Sequence, residues 1–293
     1  MTTAMSYSDF VMNPRMVMGP VALRVRDFES TIKFYTEELG LRVIRQDGDT
    51  SELAPVNSSE VLVVLIDDPE AEFPSRNSAG LYHFAILLPS RVELARVYLV
   101  LGNSGLTFDG YADHLVSEAL YLTDPEGNRI EIYVDKPRNE WRIGTDGTPQ
   151  MGTYPLDIDS LLLEAKDGAI DEPNAIGEGA VIGHVHLKVT EIRQSTDFYH
   201  YRLGLDLMNY WDTAAFLSAG GYHHHIGINT WESSLGSTVE EGRIGLEYFT
   251  IRVPNDSIAE LCSRLGSTNQ NESAVHDPDG IKILIRAHKE SEA

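Results

Sequence analysis

Two residues in this 293-residue chain have types that their surroundings do not explain. His83 stands near the start of an apolar run, HFAILLP, that reads as a strand. Glu131 stands inside a second run, RIEIYVD, directly after a tight Asp-Pro-Glu-Gly turn. A carboxylate among Ile130, Ile132, Tyr133 and Val134 has to be paired, because burying it alone is costly. A cation or a metal ion is the usual partner, and imidazole and carboxylate are common ligands for such an ion. The chemistry these residues point to is a buried imidazole–carboxylate metal site, with a metal-free His–Glu pair as the plain alternative.

The elements that must position them come from a repeat, a signal to be sought early. PVALRVRDFESTIKFYTEELGLRV, from Pro20, aligns with HVHLKVTEIRQSTDFYHYRLGLDL, from His184. The opening strand, Ser30-Thr31 and Ser195-Thr196, Phe34-Tyr35 and Phe198-Tyr199, and the closing Leu-Gly-Leu coincide. Within each half, HFAILLP matches YFTIRVP from Tyr248, and Asp-Pro-x-Gly turns at Asp124 and Asp277 precede a last apolar strand. The chain thus contains four units, each a strand, a helix with one apolar face, and two or three further strands. Phe28, Ile32, Tyr35 and Leu39 recur at helical spacing before Gly40, as do Ile258, Leu261, Cys262 and Leu265 before Gly266. Cys262 is then a core residue. Residues 1–14 read as a disordered arm, 15–136 as an N-terminal domain of two units, 137–179 as a linker and 180–289 as a C-terminal domain of two units. A connection as long as this linker is unusual in a compact protein and often functional. Its one apolar segment, DIDSLLLEA, reads as a helix.

Composition narrows the function classes. A formal charge of −22 without a basic cluster excludes binding to nucleic acid phosphates through a basic face, and disfavours an anionic membrane surface. The single cysteine excludes a disulfide framework and suits a reducing cytoplasm. No apolar run approaches the roughly 20 residues of a membrane helix. The first residues lack the basic start and apolar block of a signal peptide.

The repeated strand–helix–strands unit, closing on DPEGNRIEIY, resembles the vicinal oxygen chelate superfamily of glyoxalase I, fosfomycin-resistance proteins and extradiol dioxygenases. The likeness covers about residues 17–135 and 180–288. GLYHFAILLP, SEALYLTDPEGNRIEIY, GHVHLKV and GGYHHHIGINTW are similar in particular to two-domain bacterial extradiol dioxygenases. The resemblance implies an α+β fold of four βαβββ modules in two glyoxalase-like domains, with curved mixed sheets around a metal cleft.

It also implies ligand positions. On the first strands of the units these hold Pro20, His83, His184 and Tyr248. On the last strands the second unit has Glu131, the fourth Leu284, and the third the run His223, His224, His225. His83, His184 and Glu131 would form the two-histidine, one-carboxylate facial set of non-haem Fe(II) oxygenases, with Mn(II) the alternative ion. His186, two residues beyond His184, would share its face. Strand alternation would put His223 and His225 on one face and His224 on the other; the family pattern places His224 at its acid–base histidine, with His223 or His225 the alternative if a bulge changes the face. Tyr121, ten residues before Glu131, sits at the family's active-site tyrosine. His114 is near its second histidine, at a spacing two residues shorter. Trp231, Tyr222 and Phe249 are candidate walls of an apolar cleft.

The implied activity is Fe(II)-dependent cleavage of a catechol with O2, in the catabolism of aromatic compounds. The alternatives are a glyoxalase-type isomerase using a metal as Lewis acid, which commonly takes four protein ligands, and a non-enzymatic binding protein. Association of like chains stays open. If units adjacent in sequence paired, neither half would hold a complete ligand set. If the second unit pairs with the third, and the first with the fourth, His83, Glu131, His184 and His224 meet in one cleft. Such an exchange could run within one chain or between two.

Overall fold

The computed structural model describes residues 10–165 and 175–288. The first unit comprises β1 (Val17–Val25), α1 (Phe28–Lys33), β2 (Leu41–Asp47), β3 (Thr50–Pro55) and β4 (Val63–Asp67). The second comprises β5 (Gly80–Leu87), α2 (Arg91–Ser104), β6 (Gly110–Asp113), β7 (Ser117–Thr123) and β8 (Arg129–Asp135). After α3 (Ile158–Glu164), the third comprises β9 (Val181–Lys188), α4 (Ile192–Asp197), β10 (Asp206–Trp211), β11 (Ala214–Ser218) and β12 (Ile226–Asn229). The fourth, β13 (Gly245–Pro254), α5 (Ile258–Arg264), β14 (Glu272–His276) and β15 (Lys282–His288), has one strand fewer. The helices start where the sequence supplies caps. Ser90 accepts from the Glu93 N–H and Asp27 from the Ser30 N–H. They stop at left-handed glycines, Gly40, Gly105 and Gly266.

The strands form two mixed sheets, and each sheet takes one unit from each half of the chain. The order β10-β11-β12-β9-β5-β8-β7-β6 joins the third unit to the second through the antiparallel pair β5–β9. The order β14-β15-β13-β1-β4-β3-β2 joins the fourth to the first through β1–β13. The exchanged pairing thus runs within one chain. This corrects the division at residue 136: the halves 15–136 and 180–289 are repeats in sequence, but neither folds around a sheet of its own.

The repeated motifs tie the sheets together. Each of α1 and α4 continues into a π turn, Phe34–Glu38 and Phe198–Arg202. These turns bring the fully buried Tyr35 and Tyr199 hydroxyls to Asp124 and Asp277, donating to each carboxylate at 3.0 Å. The tyrosine of one unit therefore docks on the Asp-Pro-x-Gly turn of the next, which lies in the other sheet. Cys262 is buried in the core as expected.

Two further expectations change. Residues 10–14 do not form a disordered arm: Met12 is buried and its N–H donates to the Gly204 carbonyl at 2.7 Å, while Arg264 stacks on Phe10. Residues 1–9 lie outside the described set, as do 166–174 of the linker and residue 289 of the expected C-terminal domain. The rest of the linker packs closely, with Trp141 and Leu161 buried. Among the described residues, no helix is long and apolar enough to cross a membrane.

Candidate metal centre and substrate cleft

One row of side chains crosses the eight-stranded sheet. Tyr121 pairs with Glu131, Glu131 with Ala85, and Ala85 with His184. Directly paired residues share a face, so these four point into one cleft. The alternate residues of β8, Ile130 and Ile132, turn to the core with Phe84 and Val185. The placement of Glu131 follows from this alternation: the even positions of β8 build the core and the odd ones the site.

Two bulges adjust the row. Leu81 pairs with Leu187 but His83 with His186, so Tyr82 is an extra residue on β5 and joins His83 at the cleft. On β9, Gly183 is extra beside His184. A side chain there would land on the Tyr133 hydroxyl, so glycine is required.

The result is a tight triangle. His83 Nε2 lies 3.1 Å from Glu131 Oε2, His184 Nε2 lies 3.3 Å from the same oxygen, and the two nitrogens are 3.3 Å apart. All three residues are buried, Glu131 to 3% exposure. Donors held about 2.1 Å from one ion at near-right angles stand about 3 Å apart, so this set fits one face of a metal's coordination sphere. Electrostatics agrees. Burial pushes His184 down to about 4, against the pull of Glu131, so it is neutral at pH 7. Burial alone would raise Glu131, yet the His184 and His83 imidazoles outweigh it and hold the carboxyl well below its usual range. The site therefore presents an ionised carboxylate and a neutral imidazole, the protonation states that bind metal. A buried carboxylate whose ion-pair partners are imidazoles alone calls for a cation.

Around the triangle lies a cleft of about 680 Å³. Its walls include Tyr82, Tyr121, His186, Trp211, Phe216, His224 and Trp231. Tyr121 and His114 meet at 2.6 Å. The Gly152 carbonyl, 2.8 Å from His114 Nδ1, can only accept, so Nδ1 carries the proton and Tyr121 donates to the bare Nε2. Burial and the Glu131 charge push the Tyr121 phenol far above its usual value.

The three histidines do not lie on a strand, which corrects the alternation expected for them. β12 begins at Ile226, and His223–His225 form the loop entering it. His224 packs on His184 with ring centroids 4.2 Å apart and lines the cleft beside Phe216. His223 stands behind it, its Nδ1 2.8 Å from His224 Nδ1 and its Nε2 2.9 Å from Asp135 Oδ1. His225 turns away to Ser218 and the Ala219 N–H. Desolvation, then the surrounding imidazoles, push His224 well below the usual histidine range.

Of the three candidate walls, Trp231 lines the cleft. Tyr222 lies behind it against Trp141 and Val116, and Phe249 is in the core of the other sheet. Tyr82, Trp211, Phe216, Met151 and Gly152 went unread in the sequence. Tyr82 depends on a bulge and Met151 and Gly152 on the course of the linker, neither of which leaves a periodic signal. Trp211 and Phe216 flank the β10–β11 turn, and a pair of aromatics there was the one available sign.

The fold and this cleft are those of a known class. Residues 17–132 match the model of the Glyoxalase/Bleomycin resistance protein/Dioxygenase superfamily. The chain is 38% identical over 271 residues to a Bacillus subtilis (strain 168) protein named catechol-2,3-dioxygenase, covering 89% of this chain and 93% of that one. The chain therefore belongs to this superfamily, as one of its extradiol dioxygenase enzymes. A shorter match, 28% over 115 residues, spans 39% of this chain and 60% of biphenyl-2,3-diol 1,2-dioxygenase 3 of Rhodococcus globerulus. Crystalline glyoxalase I from Zea mays shares the fold, with a TM-score of 0.54, 17% identity, and coverage of 93% of this chain and 92% of that one.

Proposed function

We propose that the protein cleaves a catechol with O2, using Fe(II), or Mn(II) in its place, held by His83, His184 and Glu131. The observation that carries this reading is the convergence of those three donors at 3.1–3.3 Å beside His224 and Tyr121. A bound divalent ion would chelate the diol and pass electrons between it and O2. The remaining chemistry belongs to the chain. Asp135 Oδ1 can only accept, so His223 carries a proton on Nε2. With Nδ1 of His223 bare, it accepts the His224 Nδ1–H, an arrangement that leaves the His224 Nε2 lone pair to the cleft. In that form His224 takes a diol proton as base and returns it to the departing oxygen as acid. Tyr121, its own proton engaged by His114, offers oxygen lone pairs that orient a substrate hydroxyl. The aromatic walls exclude water and hold a flat ring.

Anaerobic loading with Fe(II), followed by O2 consumption with catechol and the growth of a yellow ring-opened product, tests this. Isomerisation of a hemithioacetal without O2 uptake would favour the glyoxalase-type alternative. The single buried cysteine fits a reducing cytoplasm as the place of action.

A further inference from the structure

His186 pairs with His83 across the β5–β9 ladder and lies two residues along β9 from His184. It is 4% exposed, and its Nε2 is buried with no hydrogen-bond partner among the described residues. Of the buried nitrogens and oxygens left so among the described residues, two belong to the cleft: Nδ1 of His184, a member of the donor set, and Nε2 of His186, which stands outside it. Buried polar atoms in native proteins are almost always partnered, and an exception needs a ligand, an ion or a role. The ring is also seated. It rests against Gly227, its ladder partner on β12, where any Cβ would meet the imidazole at 3.0 Å. Tyr82, Phe216 and Trp231 flank it with ring centroids 5.1–5.6 Å away.

Resting on the extradiol reading, we infer that His186 is a specificity-determining residue that hydrogen-bonds a neutral, oxygen-bearing substituent on the ring of the diol. It falls outside the convergent donor set of His83, Glu131 and His184. Its ring stands 5.0 Å, centroid to centroid, from that of His83, on the side of the donor set walled by Tyr82, Phe216 and Trp231. Its unpartnered nitrogen belongs to that aromatic wall, which faces what the ring carries, and not to the donors that would hold the diol. The charge of that group follows from its neighbours. Arg129, the one cation lining the cleft among the described residues, is engaged with Glu232 at 2.9 Å and stacked over Tyr82. An anionic substituent would find no free cation there, whereas a hydroxyl or carbonyl oxygen is served by the imidazole and the aromatic faces.

The test compares diols of near-equal size, 4-ethylcatechol against 4-(hydroxymethyl)catechol, with the 3-substituted pair alongside. The readouts are kcat/KM and anaerobic binding followed by tryptophan fluorescence, which needs no turnover. The wild type should favour the hydroxymethyl partner in one pair by about fivefold or more. His186→Leu should abolish or reverse that ratio, and His186→Gln, which keeps a polar tip, should retain part of it. Equal treatment of both pairs by the wild type, or an unchanged ratio in His186→Leu, overturns the assignment. If no diol is cleaved yet binding discriminates as stated, the assignment of His186 stands and the extradiol reading falls. If diols are cleaved without discrimination, His186 alone falls.

Discussion

Glu131→Gln removes one of the three donors without changing the size of the side chain, and its effect can be followed through metal-linked stability. An ion at about 100 times its Kd stabilises the wild type by about 2.7 kcal/mol. For a chain of 293 residues that is about 4 °C in Tm. Disturbing only the partners of a metal ligand weakens affinity by about 10–100-fold, so removal of the ligand itself should cost at least the upper figure. At the same ion concentration the variant then gains about 0.4 kcal/mol, or roughly 0.7 °C. In the metal-free form the variant should melt no more than about 2 °C below the wild type, the loss of the charge that the imidazoles favour. The amide replaces a carboxylate that is 3% exposed and has only imidazoles as ion-pair partners, so no cation loses its mate. Anaerobic scanning calorimetry of chelator-treated protein, with and without Fe(II) or Mn(II), reads both quantities. A variant that keeps the full metal-induced shift would refute the donor set. A metal-free variant several degrees less stable would make Glu131 a structural partner of the two histidines instead.

His224→Phe should lower kcat by roughly 10²–10⁴-fold while diol binding persists. His225→Phe, at a ring already turned to Ser218, should do far less, and the reverse order would move the acid–base role to His225. Tyr199→Phe deprives the buried Asp277 of a donor and should cost about 1–3 kcal/mol in urea denaturation. Tyr35→Phe should do the same at Asp124, and the two losses should add because the junctions share no partner. A double variant no less stable than either single one would contradict this. Gly183→Ala forces a methyl onto the Tyr133 hydroxyl beside His184 and should lose about 1–3 kcal/mol together with metal affinity. Unchanged metal binding there would mean that the bulge does not position His184.

The sequence by itself determined what is local or repeated. Residue type and burial pattern marked Glu131, because a carboxylate among Ile130, Ile132 and Val134 conflicts with the strand around it. Repetition revealed the four units, and the confinement of ligand-type side chains to the middle two pointed to the second meeting the third, within one chain or between two. Helix ends were legible because Gly40 and Gly266 stop helices through their own backbone freedom.

Tertiary structure decided whatever depends on contacts between segments far apart in the chain. The bulges at Tyr82 and Gly183 set which side chains face the cleft, and a one-residue shift in a ladder leaves no trace in composition. The histidine run looked like a strand because its neighbours are strand formers. In the structure it is a loop, so His223 and His224 can both approach His184 while His225 leaves. The Phe-Tyr pairs and the Asp-Pro-x-Gly turns read as separate punctuation, although Tyr35 and Asp124 lie 89 residues apart and share one hydrogen bond. The linker became a wall of the cleft only once Gly152 reached His114, a contact that no periodicity encodes. Periodicity reports which face of an element is buried. What lies against that face is set by chain crossings, and these leave no periodic mark in the sequence.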